Sequence, residues 1–121
     1  MRVLIVDDNE DLRIMLQRWL EADGFEAVVA TDGHTGLALL DAQAIDVVVT
    51  DLCMPETDGI ETIEAVRTRF PHIPIVAMSG WISSGGVDYL EVAREIGAVR
   101  TLKKPFEPVA LSRILRELGS I

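Results

Sequence analysis

A chain of 121 residues has the length of one ordinary domain, and 49% apolar residues are enough for a core, which excludes a disordered acidic tail. Against 20 acidic side chains stand 11 basic ones, and the net charge of −9 is a poor match for the phosphates of nucleic acid or anionic lipid. A single cysteine closes no internal disulfide and no apolar run nears the ~18 residues of a membrane helix, so the expectation is a cytoplasmic domain over residues 1–121.

The first element is the run Val3-Leu4-Ile5-Val6, ended by Asp7 and too short for the apolar stretch of a secretion signal; it reads as a buried strand. Leu12, Met15, Leu16, Trp19 and Leu20 recur at helical spacing, which predicts a helix with that stripe turned inward and Ile14 outside beside Gln17, Arg18 and Glu21. Gly24 is placed to end this helix in the left-handed region. Residues 27–30 are the second strand, 36–40 a short second helix and 45–49 a third strand. Asp58 then caps a third helix, with Glu61 as its capping-box partner, Ile63, Val66 and Phe70 as its apolar face and Pro71 as its stop. Residues 74–78 form the fourth strand, and Val87, Leu90 and Ala93 mark a helix closing near Gly97. Residues 99–102 are the fifth strand, after which Pro108 opens a last helix along Leu111, Ile114, Leu115 and Leu118.

Strands alternating with helices make an α/β protein, a (βα)₅ doubly wound parallel sheet covered on both faces. Five strands are too few for an eight-stranded barrel, so a flavodoxin-like open sheet of order 2-1-3-4-5 is expected. Ligands of such sheets bind beyond the carboxyl ends of the strands, where strand order reverses. Here those ends carry Asp7 and Asp8, Asp51, Ser79 and Lys104. Each has a plainer reading on its own. Asp7 and Asp8 could cap the first helix, Asp51 could form a turn, Ser79 could satisfy backbone groups, and Lys103 and Lys104 could be a solvated pair. Together, at four separate strand ends, they suggest a site. Three clustered carboxylates repel one another unless a cation compensates, and Mg²⁺ suits an all-oxygen set while leaving positions for phosphate oxygens. Phosphoryl transfer needs mainly positioning and charge neutralisation, and an aspartate such as Asp51 can accept the group as an acyl phosphate.

Four segments, Asp7-Asp8, Asp51-Leu52-Cys53-Met54-Pro55-Glu56-Thr57-Asp58-Gly59, Ser79-Gly80 and Lys104-Pro105-Phe106, closely resemble bacterial response-regulator receiver domains, and the resemblance runs the length of the chain. It implies that Asp51 is the phosphoacceptor, and that Asp8 and Asp51 bind Mg²⁺ directly, with Asp7 acting through water and Cys53 giving its backbone carbonyl. Ser79 and Lys104 would hold phosphoryl oxygens; Lys104 rather than Lys103 matches because it directly precedes the proline, in a bond that is often cis in such proteins. The implied partners are a sensor histidine kinase or histidine phosphotransfer protein and a downstream target protein, with no direct nucleic acid and no membrane. The implied activity is a signalling switch that catalyses its own phosphorylation and slow dephosphorylation, not an enzyme with an external substrate.

Other readings fit less well. An aspartyl hydrolase of the haloacid-dehalogenase kind wants a second acid where Cys53 stands, and an acidic first loop would repel a flavin phosphate. A receiver-like module working without phosphate would not need the full set of acidic, hydroxyl and lysine positions. His34 and His72 are expected at the surface, too isolated for a metal site. Two departures from the family pattern stand out. Thr101 occupies a position three before Lys104 that is commonly aromatic, and the stretch around Trp81 to Gly86 is lengthened. Trp81, two residues beyond Ser79, either packs on the neighbouring helix or does part of the switching assigned to that aromatic, and Ile14 is either a lone exposed apolar residue of the common kind or part of a docking surface for the phosphodonor.

Overall fold

The computed structural model describes residues 1–52, 59–80 and 89–119. In chain order its elements are β1 (Arg2–Val6), α1 (Glu10–Ala22), β2 (Glu26–Ala30), α2 (Gly33–Ala42), β3 (Val47–Asp51), α3 (Gly59–Arg69), β4 (Ile75–Ser79), α4 (Tyr89–Ile96), β5 (Arg100–Lys103) and α5 (Pro108–Gly119). The strands pair in parallel in the order β2-β1-β3-β4-β5, as expected, so strand order reverses between β1 and β3.

Side chains alternate across the sheet and feed two cores. Val3, Ile5, Val47, Val49, Val76 and Met78 meet Leu16 and Leu20 of α1 and Leu111 and Leu115 of α5. On the other face Leu4, Val6, Val48, Ile75 and Ala77 meet Leu40, Ile63, Val66 and Ala93 from α2, α3 and α4. With both faces covered, the central strands need no polar alternation, which is why they read as unbroken apolar runs.

Element ends differ from expectation for identifiable reasons. β3 starts at Val47 because pairing with β1 begins at Val3; Asp46 instead accepts a hydrogen bond from the Arg2 amide at 2.7 Å. β4 starts after Pro74, which has no N–H to give, although its carbonyl accepts from Val48 at 3.0 Å. α2 is ten residues long because Asp32 caps it, accepting from the Thr35 amide at 2.8 Å. Gly24 does take a left-handed φ of +94° beyond the cap of α1. The Asp58 cap, Val87 and Trp81 lie outside the described residues.

The inward stripe of α1 is narrower than predicted. Leu16 and Leu20 are buried, but Met15 and Trp19 are 43% and 41% exposed, and Gln17 turns in to donate to the Ala27 carbonyl. Trp19 sits at the seam with α5, where its indole N–H donates to the buried Ser112 hydroxyl at 2.8 Å. An indole needs such a partner for its polar edge, so a seam suits it better than the core. Ile14 is 39% exposed, on the outside as predicted.

Candidate functional site

β1 ends with Asp7 directly after it, β3 ends on Asp51, β4 on Ser79, and β5 is followed at once by Lys104. All the strands are parallel, so these groups emerge at one end of the sheet. Asp7, Asp51 and Ser79 are buried, whereas Asp8, the next residue along, is exposed. The Lys104 amide donates to the Ser79 carbonyl at 2.9 Å, extending the β4–β5 pairing by one residue and setting the lysine beside the serine. The Lys104–Pro105 bond is cis.

The lysine ammonium lies between two carboxylates, 2.9 Å from Asp7 Oδ2 and 3.3 Å from Asp51 Oδ2. Burial by itself would lower its pKa, but the hydrogen bond to Asp7 and the negative charges of Asp51 and Asp7 outweigh it and hold the pKa above its ordinary value. The lysine is therefore charged throughout the neutral range. Asp7, Asp8 and Asp51 each bring a carboxylate oxygen within 4.8 Å of the others'. Three acids against one ammonium leave negative charge in a largely buried place. Oxygen donors alone, with an exposed acid at the mouth, fit a hard divalent cation and not a soft one.

The plainer alternatives are now decided for two groups. The first helix is capped by Asn9, whose side chain accepts from the Leu12 amide at 3.1 Å, so Asp7 and Asp8 are not its caps. Lys103 is exposed and Lys104 turns inward, so they are no solvated pair. His34 and His72 are exposed. Thr101 on β5 is half-buried and its hydroxyl receives a hydrogen bond from the Arg94 guanidinium of α4 at 3.1 Å. Cys53 lies outside the described residues.

Three residues bear on the site without having been expected to. Gly59 at the start of α3 touches the backbone of Asp51 and Leu52 so closely that any Cβ would collide with it. Asn9 donates its backbone N–H to Asp7 Oδ1 at 2.9 Å, and Arg13 Nη1 donates to the Asp7 carbonyl at 2.9 Å. An Asn just ahead of a helical stripe is a readable cap signal; nothing in the spacing marks Arg13.

The fold and site together define a doubly wound α/β protein with an acidic centre at its switch point. The model of the response regulator receiver domain matches residues 3–116, and the chain belongs to that family of phosphorylatable signalling switches of two-component systems. Among curated relatives, the response regulator protein FleR of Pseudomonas aeruginosa is 36% identical over 91% of this chain and 23% of its own length. The transcriptional regulatory protein CpxR of Escherichia coli is 33% identical over 97% of this chain and 48% of its own. The chain thus spans half or less of the length of these relatives. Chemotaxis protein CheY4 of Vibrio cholerae superposes with a TM-score of 0.86 at 31% identity, covering 97% of both chains. A CheY-like receiver domain protein of Methanospirillum hungatei does so with a TM-score of 0.85 at 26% identity, over 98% of this chain and 94% of its own.

Proposed function

We propose that residues 1–121 form one receiver domain that takes a phosphoryl group from a sensor histidine kinase or a histidine phosphotransfer protein onto Asp51, with Mg²⁺ as cofactor, and so changes its binding to a downstream target protein. The supporting observation is the buried Asp51 carboxylate, 3.3 Å from the Lys104 ammonium and grouped with Asp7 and Asp8. A carboxylate oxygen of Asp51 attacks the phosphorus, and an O–P bond forms as the donor's N–P bond breaks. The electron pair stays on the imidazole nitrogen, which takes up a proton, and the product is an acyl phosphate. Lys104 and the Ser79 hydroxyl are assigned to phosphoryl oxygens. Asp8 and Asp51 would hold Mg²⁺ directly, with Asp7 through water and the Cys53 carbonyl; bound there, the ion offsets the negative charge that would repel a phosphoryl group. The same groups would catalyse the slow hydrolysis that resets the switch.

An open groove of about 540 Å³ beside the site, lined by Asn9, Leu12, Met15, Lys104, Pro105 and Phe106, gives the phosphodonor a mostly apolar place to dock, with Ile14 on the adjoining surface of α1. Family membership and the net charge of −9 support a place in the cytoplasm with protein partners in place of nucleic acid; among the described residues no helix is long and apolar enough to cross a membrane. Mass spectrometry with acetyl phosphate and Mg²⁺ tests the central assignment. The wild type should gain one phosphoryl group and Asp51→Asn none; incorporation that persists in Asp51→Asn would overturn it.

A further inference from the structure

Asp7 has every polar atom engaged. Its amide donates to the Ala30 carbonyl at 3.1 Å, continuing the β1–β2 pairing, while Oδ1 receives the Asn9 amide and Oδ2 the Lys104 ammonium, both at 2.9 Å. The fourth atom is the main-chain carbonyl, which β1 no longer pairs because the strand has ended at Val6. That carbonyl is taken by Arg13 Nη1 at 2.9 Å, from the second turn of α1. Arg13 is itself set by the helix, its amide bonding to the Asn9 carbonyl at 3.0 Å, and its side chain runs back towards the amino end, the direction helical side chains favour.

The carbonyl of Asp7 and the amide of Asp8 belong to one planar peptide group. A donor fixed on the carbonyl therefore fixes the plane that joins the two acids. Asp7 has other restraints. Asp8 is exposed, so the orientation of that plane largely decides where its carboxylate can reach. The geometry points to Arg13 as a positioning residue that holds the Asp7–Asp8 peptide so that the Asp8 carboxylate stays within range of Asp51 and can join it in binding a divalent cation. This rests on the metal-dependent reading above and extends it to a residue that touches neither metal nor phosphoryl group.

Position and charge can be told apart at Arg13. Arg13 is a cation close to a cation site, so its charge alone would weaken metal binding, and removing that charge would tighten it. Loss of the positioning bond acts in the opposite direction, by about tenfold if it resembles other outer-shell partners of metal ligands. The experiment is a Mg²⁺ titration of the unphosphorylated full chain, followed by the amide NMR signals of Asp8 and Asp51, for wild type, Arg13→Met and Arg13→Lys. Arg13→Met should bind Mg²⁺ about tenfold more weakly, and Arg13→Lys, which keeps a donor on a long stem, should recover much of the loss. Mg²⁺ binding by Arg13→Met that equals or exceeds the wild type overturns the positioning role while leaving the phosphoacceptor reading intact. If Arg13→Met fails to fold, Arg13→Gln, which shortens the reach and removes the charge, replaces it under the same criterion. A wild type that does not respond to Mg²⁺ overturns the metal reading itself, and this inference with it.

Discussion

The two ends of the sheet use the same ionic chemistry to different effect. At the amino end Arg2 Nε pairs with Glu26 at 2.9 Å, and the Arg2 amide donates to Asp46 at 2.7 Å. At the carboxyl end Lys104 pairs with Asp7, also at 2.9 Å. Distance does not distinguish the two pairs. Burial does: the Glu26 side chain is 68% exposed and that of Asp7 0%. Water can solvate the acids at the amino end, so their pairing with Arg2 matters little. At the carboxyl end the buried Asp7 and Asp51 share one ammonium, with the exposed Asp8 beside them. A strand end with unbalanced buried charge is poorly optimised for stability, and under the proposed function a cation and a phosphoryl group would complete it.

The largest expected effect follows from removing the ammonium that the two buried acids share. Lys104→Met takes the ammonium away from the buried Asp7 and Asp51 and should cost about 3 kcal/mol in the absence of metal, towards the low end for a broken buried pair because the lysine keeps some exposure. Urea unfolding in a chelating buffer measures it; a loss under about 1 kcal/mol would place this end on a par with the other. The pH dependence has a definite sign. A raised folded pKa means that the lysine's contribution is complete below its ordinary value of 10.5 and fades as pH climbs through the higher folded one. Wild type and variant should therefore stay a constant gap apart across the neutral range and converge only in strong alkali.

A second, smaller effect comes from supplying the missing positive charge or removing a negative one. Mg²⁺ at ten times its dissociation constant should stabilise the wild type by about 1.4 kcal/mol. Asp8→Asn removes one member of the acid cluster, so it should raise the melting temperature of the metal-free chain and abolish most of the gain on adding Mg²⁺. A melting temperature indifferent to millimolar Mg²⁺ in the wild type would contradict the contrast between the two ends.

Much of this was legible in the residues. Unbroken runs such as Val3-Leu4-Ile5-Val6 mark strands covered on both faces, and their alternation with helical stripes yields the strand order, because parallel crossovers leave few arrangements. The acids and the lysine stand at or just past the stop of an apolar run, and Lys104 is told from Lys103 by the resemblance, because it directly precedes Pro105. Less legible was whatever depends on a neighbour far along the chain. The rotation of α1 that leaves Met15 and Trp19 at 43% and 41% exposure is set by Ser112 on α5 and the Ala27 carbonyl on β2. Apolar spacing does not encode such partners. Likewise Arg13 reads as an ordinary helix-surface arginine until the end of β1 is seen to leave a carbonyl beside it.

The smallest effect belongs to the amino end, and it sets the lower limit of the comparison. A double-mutant cycle with Arg2→Met and Glu26→Gln should return a coupling of about 0.5 kcal/mol or less, since both side chains reach water and must give up rotamer freedom to meet. The Arg2 amide still bonds to Asp46 in every variant, so the cycle isolates the side-chain pair from the backbone tie that helps start β3. Added salt should reduce the coupling further, because screening acts fully on solvated charges. The corresponding cycle on Lys104 and Asp7, with Lys104→Met and Asp7→Asn, should return a larger coupling that salt barely moves, as the acid there is wholly buried. If the Arg2–Glu26 coupling proved as large and as insensitive to salt, burial would not be what separates the two ends. The imbalance of three acids against one ammonium would then have to account for the difference alone.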